Sequence, residues 1–453
     1  MMRHFSLVEL ASALNAQLKG SDAQIERVIT DSRKAQSGDL FVALKGERFD
    51  AHDFVSQVSQ QGASAAVVDH PLELPIPQLI VADTRIALGQ LGALNRQQFS
   101  GQVVAVTGSA GKTSVKEMLA LMFSSLAPTL ATRGNLNNEI GVPLTLLDLS
   151  PQHEFAVIEL GASAVGEIDY TSALTQPNVA ILNNAMEAHV EGFGSLENIV
   201  QAKSEIYDGL VDNGTGIVNL DDPHAAFWTD KLDRLKRRWI GFGINGAADL
   251  SATDLNVNDL GCYGFNVHYQ GQQYSVQLSV MGRHMVSNAL AAMAAWVASG
   301  QSVVSAIEPL ESYTGFKGRL QVHSLDSAVT LIDDSYNASP SAVKAAIDTL
   351  MTLGGEHLLV LGDMAELGSD EVALHTEIGR YAKQQGVERL MATGPLMANA
   401  VLAFGDGADH FASREDLVTE LTNNLPKEGA LLVKGSRSAA MDRVVDALIE
   451  MEK

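Results

Sequence analysis

One segment constrains the fold more than any other: residues 103–119, VVAVTGSAGKTSVKEML, where an apolar run passes through a glycine-rich turn. The pattern predicts a buried strand, a tight turn, and a helix whose inner face carries Val115, Met118, Leu119 and Met122. Backbone N–H groups in such a turn converge on anionic oxygens at a helix N-terminus. The segment therefore predicts a phosphate-binding loop in an α/β domain.

The predicted loop consists of Thr107, Gly108, Ser109, Ala110, Gly111, Lys112 and Thr113. Lys112 is placed to reach the β- and γ-phosphates of a nucleotide, and Thr113 offers its hydroxyl to the magnesium ion that bridges them. The strict P-loop pattern requires a glycine five residues before Gly111, where this chain has Val106. The loop is therefore a shortened variant that begins at Gly108, and the alternative is a glycine turn that binds no phosphate.

A carboxylate candidate for the same metal ion lies in FAVIELGA, where an apolar run gives way to glycine. Glu159 stands at the carboxyl end of that predicted strand, which is where α/β proteins bind their ligands. An unpaired carboxylate is costly to bury, and Mg²⁺ takes oxygen ligands. The sequence therefore favours a metal ligand at Glu159 over a solvated residue at the edge of a sheet.

A lysine interrupts an apolar helical stripe in SLENIVQAKSEIYDGL, a predicted helix that Ser195 can cap. Lys203 either extends along the core edge into solvent, or is buried so that the pKa of its amine falls and CO2 can carbamylate it into a carboxylate-like metal ligand. Upstream, His189 follows a predicted strand, where a neutral imidazole could serve a second metal ion or bind nothing. The stripe consists of Leu196, Ile199, Lys203, Ile206 and Leu210.

Apolar runs alternate with amphipathic stretches along the whole chain, which predicts an α/β protein of three domains. We predict a small α/β substrate domain at residues 1–82, a central P-loop domain with a doubly wound, mainly parallel sheet at 83–314, and a C-terminal Rossmann-like domain at 315–453. The predicted strands are 40–44, 65–68, 79–81, 103–107, 155–160, 179–183, 216–220, 329–332, 358–361, 390–393 and 430–434.

Two helix starts carry recognisable signals. Ser6 and Glu9 have the spacing of a capping box, and Ser339 followed by Pro340 matches an N-cap and the first helical position.

Charge and cysteine content exclude several classes of protein. The 54 acidic and 31 basic residues give a net charge of -23, which would repel a nucleic-acid backbone. A single cysteine, Cys262, forms neither an internal disulfide nor a thiolate metal cage, and this fits a reducing compartment. Neither a signal peptide nor an apolar run long enough for a membrane span is expected. A cytoplasmic protein is predicted.

The order of motifs along the chain resembles the Mur ligases of peptidoglycan synthesis over essentially its full length. The shared segments are TGSAGKT, RGNLNNEIGVP, VIELGA, the segment around His189, QAKSEI, GRHMVSNALAA, DDSYNASP and KGSRSAAM. Within the family, TDSRKAQSGDLFVALKGERFDAHDF, DDSYNASP, GDMAELG and VKGSRSAAM resemble the members that add D-alanyl-D-alanine. A DNPR-type motif, expected in the diaminopimelate-adding members, is absent from the sequence.

The resemblance implies roles for particular residues. It makes Lys112 and Arg319 the cations at the γ-phosphate. Carbamylated Lys203 and His189 hold a second magnesium ion, while Glu159 and Thr113 hold the first. The remaining implied contacts are Asn137 and Asn288 on the adenine side, Asp334 at the ribose, and Asp31, Ser32, Arg33, Lys45 and Gly46 at the UDP-sugar.

The implied activity is ATP-dependent amide formation between UDP-N-acetylmuramoyl-tripeptide and D-alanyl-D-alanine, through an acyl phosphate. ATP and two Mg²⁺ ions are the implied cofactors, a monomer is the default, and the C-terminal domain is predicted to close over the site. The alternatives are another amide ligase on this scaffold, of the folylpolyglutamate or cyanophycin type, and a non-catalytic nucleotide-binding switch.

Overall fold

Three β-sheets, one in each successive part of the chain, organise the fold. The computed structural model describes residues 1–46, 49–187, 190–325 and 328–451. The three-domain α/β architecture expected from the sequence is confirmed. The sheets span residues 17–80, 102–281 and 321–434, while the domain boundaries at 82/83 and 314/315 stay predictions.

The first sheet has five strands in the order β2-β7-β6-β5-β4, parallel from β4 to β7 with β2 antiparallel at one edge. A two-stranded antiparallel pair, β1 and β3, lies beside it. Helix α1 begins with the capping box expected at Ser6 and Glu9. The elements are β1 (Phe5–Ser6), α1 (Leu7–Ala13), β2 (Gln17–Lys19), β3 (Gln24–Ile25), β4 (Arg27–Ile29), β5 (Asp39–Val42), α2 (Val55–Gln60), β6 (Ala65–Val68), β7 (Gln78–Ile80) and α3 (Thr84–Gln97).

The central sheet has nine strands in the order β16-β15-β14-β13-β12-β11-β8-β10-β9, parallel from β9 to β14 and antiparallel beyond. The elements are β8 (Gln102–Thr107), α4 (Lys112–Ser124), β9 (Thr129–Ala131), α5 (Gly141–Leu147), β10 (Phe155–Glu159), α6 (Glu167–Thr175), β11 (Val179–Leu182), α7 (Val190–Phe193), α8 (Leu196–Ser204), β12 (Thr215–Asn219), α9 (Ala225–Arg234), β13 (Arg238–Gly243), β14 (Leu250–Val257), β15 (Cys262–Tyr269), β16 (Gln272–Met281), α10 (Arg283–Ala298) and α11 (Val303–Glu311).

The C-terminal sheet has six strands in the order β17-β18-β22-β19-β20-β21, with only β17 antiparallel. Ser339 and Pro340 start a helix as expected. The elements are β17 (Gln321–Ser324), β18 (Ala328–Asp334), α12 (Pro340–Leu350), β19 (Glu356–Gly362), α13 (Glu371–Gln385), β20 (Arg389–Thr393), α14 (Met397–Phe404), β21 (Ala408–Phe411), α15 (Arg414–Asn423), β22 (Glu428–Lys434) and α16 (Asp442–Glu450).

Strands β8, β10, β11 and β12 of the central sheet are buried on both faces, which explains their continuous apolar sequences. Val104 and Val106 of β8 belong to the core under α4 and α10, whereas Val103 and Ala105 belong to the core on the opposite face. All four side chains are inaccessible to solvent. This packing fixes β8 in the middle of the sheet, with its carboxyl end between those of β10 and β11.

Each predicted strand is found in the structure within two residues of its expected bounds. The sequence missed the edge of the central sheet from β13 to β16, where polar residues and glycines alternate with the apolar ones. No helix in the described part of the chain is both long enough and apolar enough to cross a membrane.

Candidate active site

The glycine-rich loop joins β8 to α4 as predicted, and its geometry requires glycine. Gly111 is the N-cap of α4 and has a φ of +79°. A Cβ atom there would lie 2.4 Å from both the Asn183 Nδ2 and the Asn288 Oδ1 atoms. The inner face of α4 is buried as predicted, with Val115 and Met118 inaccessible to solvent. The loop is therefore a rigid turn at the N-terminus of a helix, as a phosphate site requires.

The segment that follows β11 forms hydrogen bonds with this loop. The Ala110 N–H donates to Asn184 Oδ1 at 2.8 Å, while Asn184 Nδ2 donates to the Ala110 carbonyl at 3.1 Å. Ser109 Oγ donates to the Met186 carbonyl at 2.9 Å. The sequence analysis did not predict a role for Asn183 or Asn184. Their position could have indicated one, because both amides directly follow a buried strand whose neighbour in the sheet carries the phosphate loop.

Lys112 lies folded against its own loop. Its Nζ donates to the Gly108 carbonyl at 2.7 Å. Burial lowers the pKa of Lys112, with the nearby Glu159 charge opposing the shift and Arg319 adding to it. The Thr107 hydroxyl donates to the Leu160 carbonyl at 2.7 Å, so that side chain supports the sheet. The predicted cations Lys112 and Arg319 are thus brought together around the loop.

Glu159 ends β10 as a buried carboxylate beside the loop, with 2% of its surface exposed. Its Oε1 accepts from Asn137 Nδ2 at 2.8 Å, and its backbone N–H donates to Thr132 Oγ1 at 2.9 Å. Among the described residues, its buried Oε2 has no hydrogen-bond partner. An anionic oxygen left in this state fits a cation that the protein alone does not supply.

Asn137 therefore lies on the side of the loop that carries the candidate metal ligand. Its Cγ and Oδ1 would each lie 2.9 Å from a Cβ added at Gly161. The adenine-side role expected for Asn137 remains a prediction. Asn288, the other such residue, accepts from Asn183 Nδ2 at 2.9 Å and faces the nucleotide-sized cavity described below.

Lys203 is buried, with 2% of its surface exposed, so the interpretation that it extends into solvent is wrong. Its Nζ lies 5.1 Å from the centroid of the Phe193 ring. Burial, and then the charge of Lys112, lower the pKa of Lys203 to about 7. Its helix α8 is capped by Ser195 as predicted. His189, the other predicted ligand of a second metal ion, lies outside the described residues.

A cavity of about 510 Å³ lies between the central and C-terminal domains, within the size range of small-molecule sites. Asp334, the predicted ribose contact, pairs there with Lys434 at 2.6 Å. Lys434 was missed, although it ends a predicted strand directly before a glycine. The cavity lining also includes Gly111, Thr113, Asn184, Asp222, His224, His284, Asn288 and Arg319.

A second cavity, of about 460 Å³, lies on the other side of the phosphate loop. Arg319 lines both cavities, and Ser109 and Ala110 form part of the second. The opposite wall comes from the C-terminal domain and consists of Asn337, Ala338, Ser339, Ala342, Ala365, Glu366, Leu367, Ser436, Arg437 and Ser438. The two cavities therefore adjoin each other at Ala110 and Arg319.

The residues predicted to hold a UDP-sugar meet at one edge of the first sheet. Asp31, Ser32 and Arg33 follow β4, while Lys45 and Gly46 follow its parallel neighbour β5. Arg33 Nε lies 2.9 Å from Asp31 Oδ1, and this guanidinium holds the pKa of Asp31 at about 2. The side chains of Arg33 and Lys45 are 84% and 69% exposed. This edge is open to solvent.

Three family descriptions match successive parts of the chain. They are the Mur ligase family, catalytic domain, over residues 24–111, the Mur ligase middle domain over 106–296, and the Mur ligase, glutamate ligase domain over 318–437.

Individual relatives match almost the whole chain. The UDP-N-acetylmuramoyl-tripeptide–D-alanyl-D-alanine ligase of Escherichia coli K12 is 44% identical over 448 residues, covering 98% of each chain. Among solved structures, MurF from Acinetobacter baumannii has a TM-score of 0.93, 38% identity and 99% coverage of both chains. MurF ligase from Thermotoga maritima, solved in complex with ADP, has a TM-score of 0.86 and 29% identity, covering 94% of this chain and 97% of its own.

Proposed function

Because the chain belongs to the Mur ligase family, we infer that it is an ATP-dependent carbon–nitrogen ligase that joins D-alanyl-D-alanine to UDP-N-acetylmuramoyl-tripeptide. The product is UDP-N-acetylmuramoyl-pentapeptide, a precursor for peptidoglycan. The arrangement of two adjoining cavities supports catalysis rather than nucleotide binding alone. Arg319 and the phosphate loop form the border between a nucleotide-sized cavity and a second cavity large enough for a small substrate.

Amide formation from a carboxylate requires a better leaving group than oxide. The terminal carboxylate of the tripeptide attacks the γ-phosphorus of ATP and displaces ADP. The dipeptide amine then attacks the carbonyl carbon of the resulting acyl phosphate, and the amide forms with loss of phosphate and of a proton from the amine. We propose that Lys112 and Arg319 neutralise the charge that spreads over the transferring phosphoryl group. Arg319 lines both cavities, and Lys112 lies in the adjoining phosphate loop, near enough to Arg319 for the two charges to interact, which supports these roles.

We propose that Thr113, Glu159 and a carbamylated Lys203 hold two magnesium ions, with His189 as a further ligand. The buried Glu159 Oε2, which lacks a partner among the described residues, fits such a cation. Magnesium supplies charge neutralisation at the phosphates when it is bound. The chain's own part is to keep the oxygen ligands in place: Asn137 fixes one oxygen of Glu159, and Thr132 fixes its backbone.

Carbamylation of Lys203 is supported by its burial and by its low pKa, because the neutral amine is the form that adds CO2. The amine nitrogen bonds to the carbon of CO2 and releases a proton, which leaves an anionic carbamate. With ¹³C-labelled bicarbonate, the wild type should show a carbamate carbon signal that Lys203→Ala lacks. An identical spectrum from both proteins would exclude the carbamate at this position.

We propose that the UDP-sugar binds at the carboxyl edge of the first sheet, where Arg33 and Lys45 present their charges to solvent. A monomer in the cytoplasm is part of the same proposal. The single cysteine supports the location, because a chain without disulfides needs no oxidising compartment.

The assignment is tested by phosphate release from ATP in the presence of UDP-N-acetylmuramoyl-tripeptide. Sustained release should require D-alanyl-D-alanine, whereas L-alanyl-L-alanine serves as the control dipeptide of the same composition. Release that proceeds equally with either dipeptide, or with neither, would contradict the proposed ligase activity.

A further inference from the structure

The ring of Tyr336 lies near two arginines that are distant from each other in the sequence. It follows β18, in the segment DDSYNASP. The Arg319 guanidinium carbon lies 4.4 Å from the centroid of the Tyr336 ring, and that of Arg437 lies 5.6 Å from it. Both arginines line the 460 Å³ cavity beside the phosphate loop. One aromatic ring therefore contacts two of the cations that face the site.

Arg319 and Arg437 differ in their ion pairing. Among the described residues, no carboxylate lies within ion-pair distance of it, and its buried Nε has no hydrogen-bond partner. Arg437, by comparison, lies 3.2 Å from Asp442. An acidic partner would compete with an incoming phosphate for Arg319. The face of an aromatic ring attracts a guanidinium without cancelling its charge.

The backbone brings the ring close to the segment that carries Arg319. The Tyr336 N–H donates to the Gly318 carbonyl at 3.2 Å. Gly318 has a φ of +75°, and a Cβ atom there would lie 3.0 Å from Tyr336 Cβ. A side chain at position 318 would therefore push the ring away from its neighbour Arg319.

We propose that Tyr336 is a positioning residue for phosphoryl transfer. Its ring holds the Arg319 guanidinium at the border between the two cavities. This inference rests on the proposed role of Arg319 at the γ-phosphate. The aromatic ring is the essential element, and the phenol hydroxyl contributes little.

The test compares Tyr336→Phe, which keeps the ring, with Tyr336→Leu, which removes it. Tyr336→Leu should lower kcat for dipeptide-dependent phosphate release by roughly 5- to 30-fold, the range that loss of a partly desolvated cation–π contact allows. Tyr336→Phe should remain within about twofold of the wild type, since the face of Phe also attracts cations. Tyr381→Leu is the matched control, because it removes a ring that Lys344 contacts at 5.6 Å, outside the lining of the cavities.

A double-mutant cycle separates positioning from a general structural effect. The affinity for a non-hydrolysable ATP analogue, measured by calorimetry, is the second readout, because it does not depend on residual activity. In an Arg319→Gln background, Tyr336→Leu should change that affinity by less than about twofold, since its partner is already gone. Equal losses with and without Arg319, or equal losses in kcat for Tyr336→Phe and Tyr336→Leu, would overturn the proposal. Failure of the proposed function would instead show as absence of dipeptide-dependent release in the wild type.

Discussion

At the phosphate loop the charged side chains are buried, whereas at the carboxyl edge of the first sheet they face solvent. Glu159 and Lys203 are each 2% exposed, and the side chains of Arg33 and Lys45 are 84% and 69% exposed. Buried charges interact strongly and are costly to leave unpaired, while exposed ones are screened. The two regions therefore suit different tasks. This difference is consistent with the proposal that the loop region carries the chemistry and that the open edge holds the UDP-sugar.

The largest effect is expected when the buried carboxylate loses its charge. Glu159→Gln should lower kcat by roughly 10³-fold, because an amide keeps the shape but is a poor ligand for Mg²⁺ and no longer balances nearby charge. Steady-state phosphate release at saturating magnesium measures this. Glu154 directly precedes β10 and is exposed, so the control variant Glu154→Gln should leave kcat unchanged. A kcat for Glu159→Gln within tenfold of the wild-type value would contradict the claim that the buried charges at the loop take part in the reaction.

Loss of the buried lysine should have the next largest effect. Lys203→Ala should lower kcat by roughly 10²-fold, and a short carboxylic acid in the buffer should restore part of it by occupying the place of the carbamate. Lys231, which pairs with Asp208 at 2.5 Å nearby, provides the control variant Lys231→Ala. Equal losses for the two variants, with no rescue, would mean that Lys203 acts only through packing.

The rate at which CO2 activates the enzyme should depend on pH through the ionisation of Lys203. The pKa of Lys203 is lowered to about 7, so its amine is charged below pH 7 and neutral above it. At a fixed concentration of dissolved CO2, the rate of activation should therefore increase as the pH rises from 6 to 8. Below the pKa, each pH unit should raise this rate by roughly tenfold, because the neutral fraction of the amine rises by that factor. The rate of activation after addition of CO2 to a depleted enzyme measures this. A rate that is independent of pH would contradict the buried, neutral amine.

The smallest effect is expected at the exposed edge. Arg33→Ala should raise KM for UDP-N-acetylmuramoyl-tripeptide by roughly fivefold and leave kcat unchanged, because a surface cation contributes modest binding energy and does not touch the reacting atoms. Arg3→Ala is the control, since Arg3 pairs with Glu9 in the same domain. A loss in kcat without a change in KM would remove the distinction between the two regions.

The sequence predicted most parallel strands of each sheet, because strands buried on both faces are continuous apolar runs. It missed the parallel strands β4, β9, β13 and β21. Strand β8 illustrates this, with its apolar side chains divided between the two cores. The antiparallel edge from β14 to β16 was missed, since exposed glutamines, asparagines and glycines dilute its apolar residues. Sequence periodicity describes one element at a time and does not show which neighbour covers it.

The same limit applies to the candidate site. Periodicity placed Lys203 in an apolar stripe but left its burial open, because the Phe193 ring that covers it comes from another helix. Asn184 and Tyr336 were not singled out, since their roles depend on partners distant in sequence: Ala110 for the first, and Arg319 and Arg437 for the second. The phosphate loop was found because its strand, turn and helix are contiguous.

The central claim is that the substrate carboxylate is phosphorylated at the border between the two cavities before the amine attacks. The most direct test uses UDP-N-acetylmuramoyl-tripeptide carrying ¹⁸O in its terminal carboxylate, with ATP and D-alanyl-D-alanine, and mass spectrometry of the released phosphate. An acyl phosphate places one carboxylate oxygen in each phosphate released, so the label should appear there. Phosphate without the label would contradict the account, because its oxygen would then have come from water.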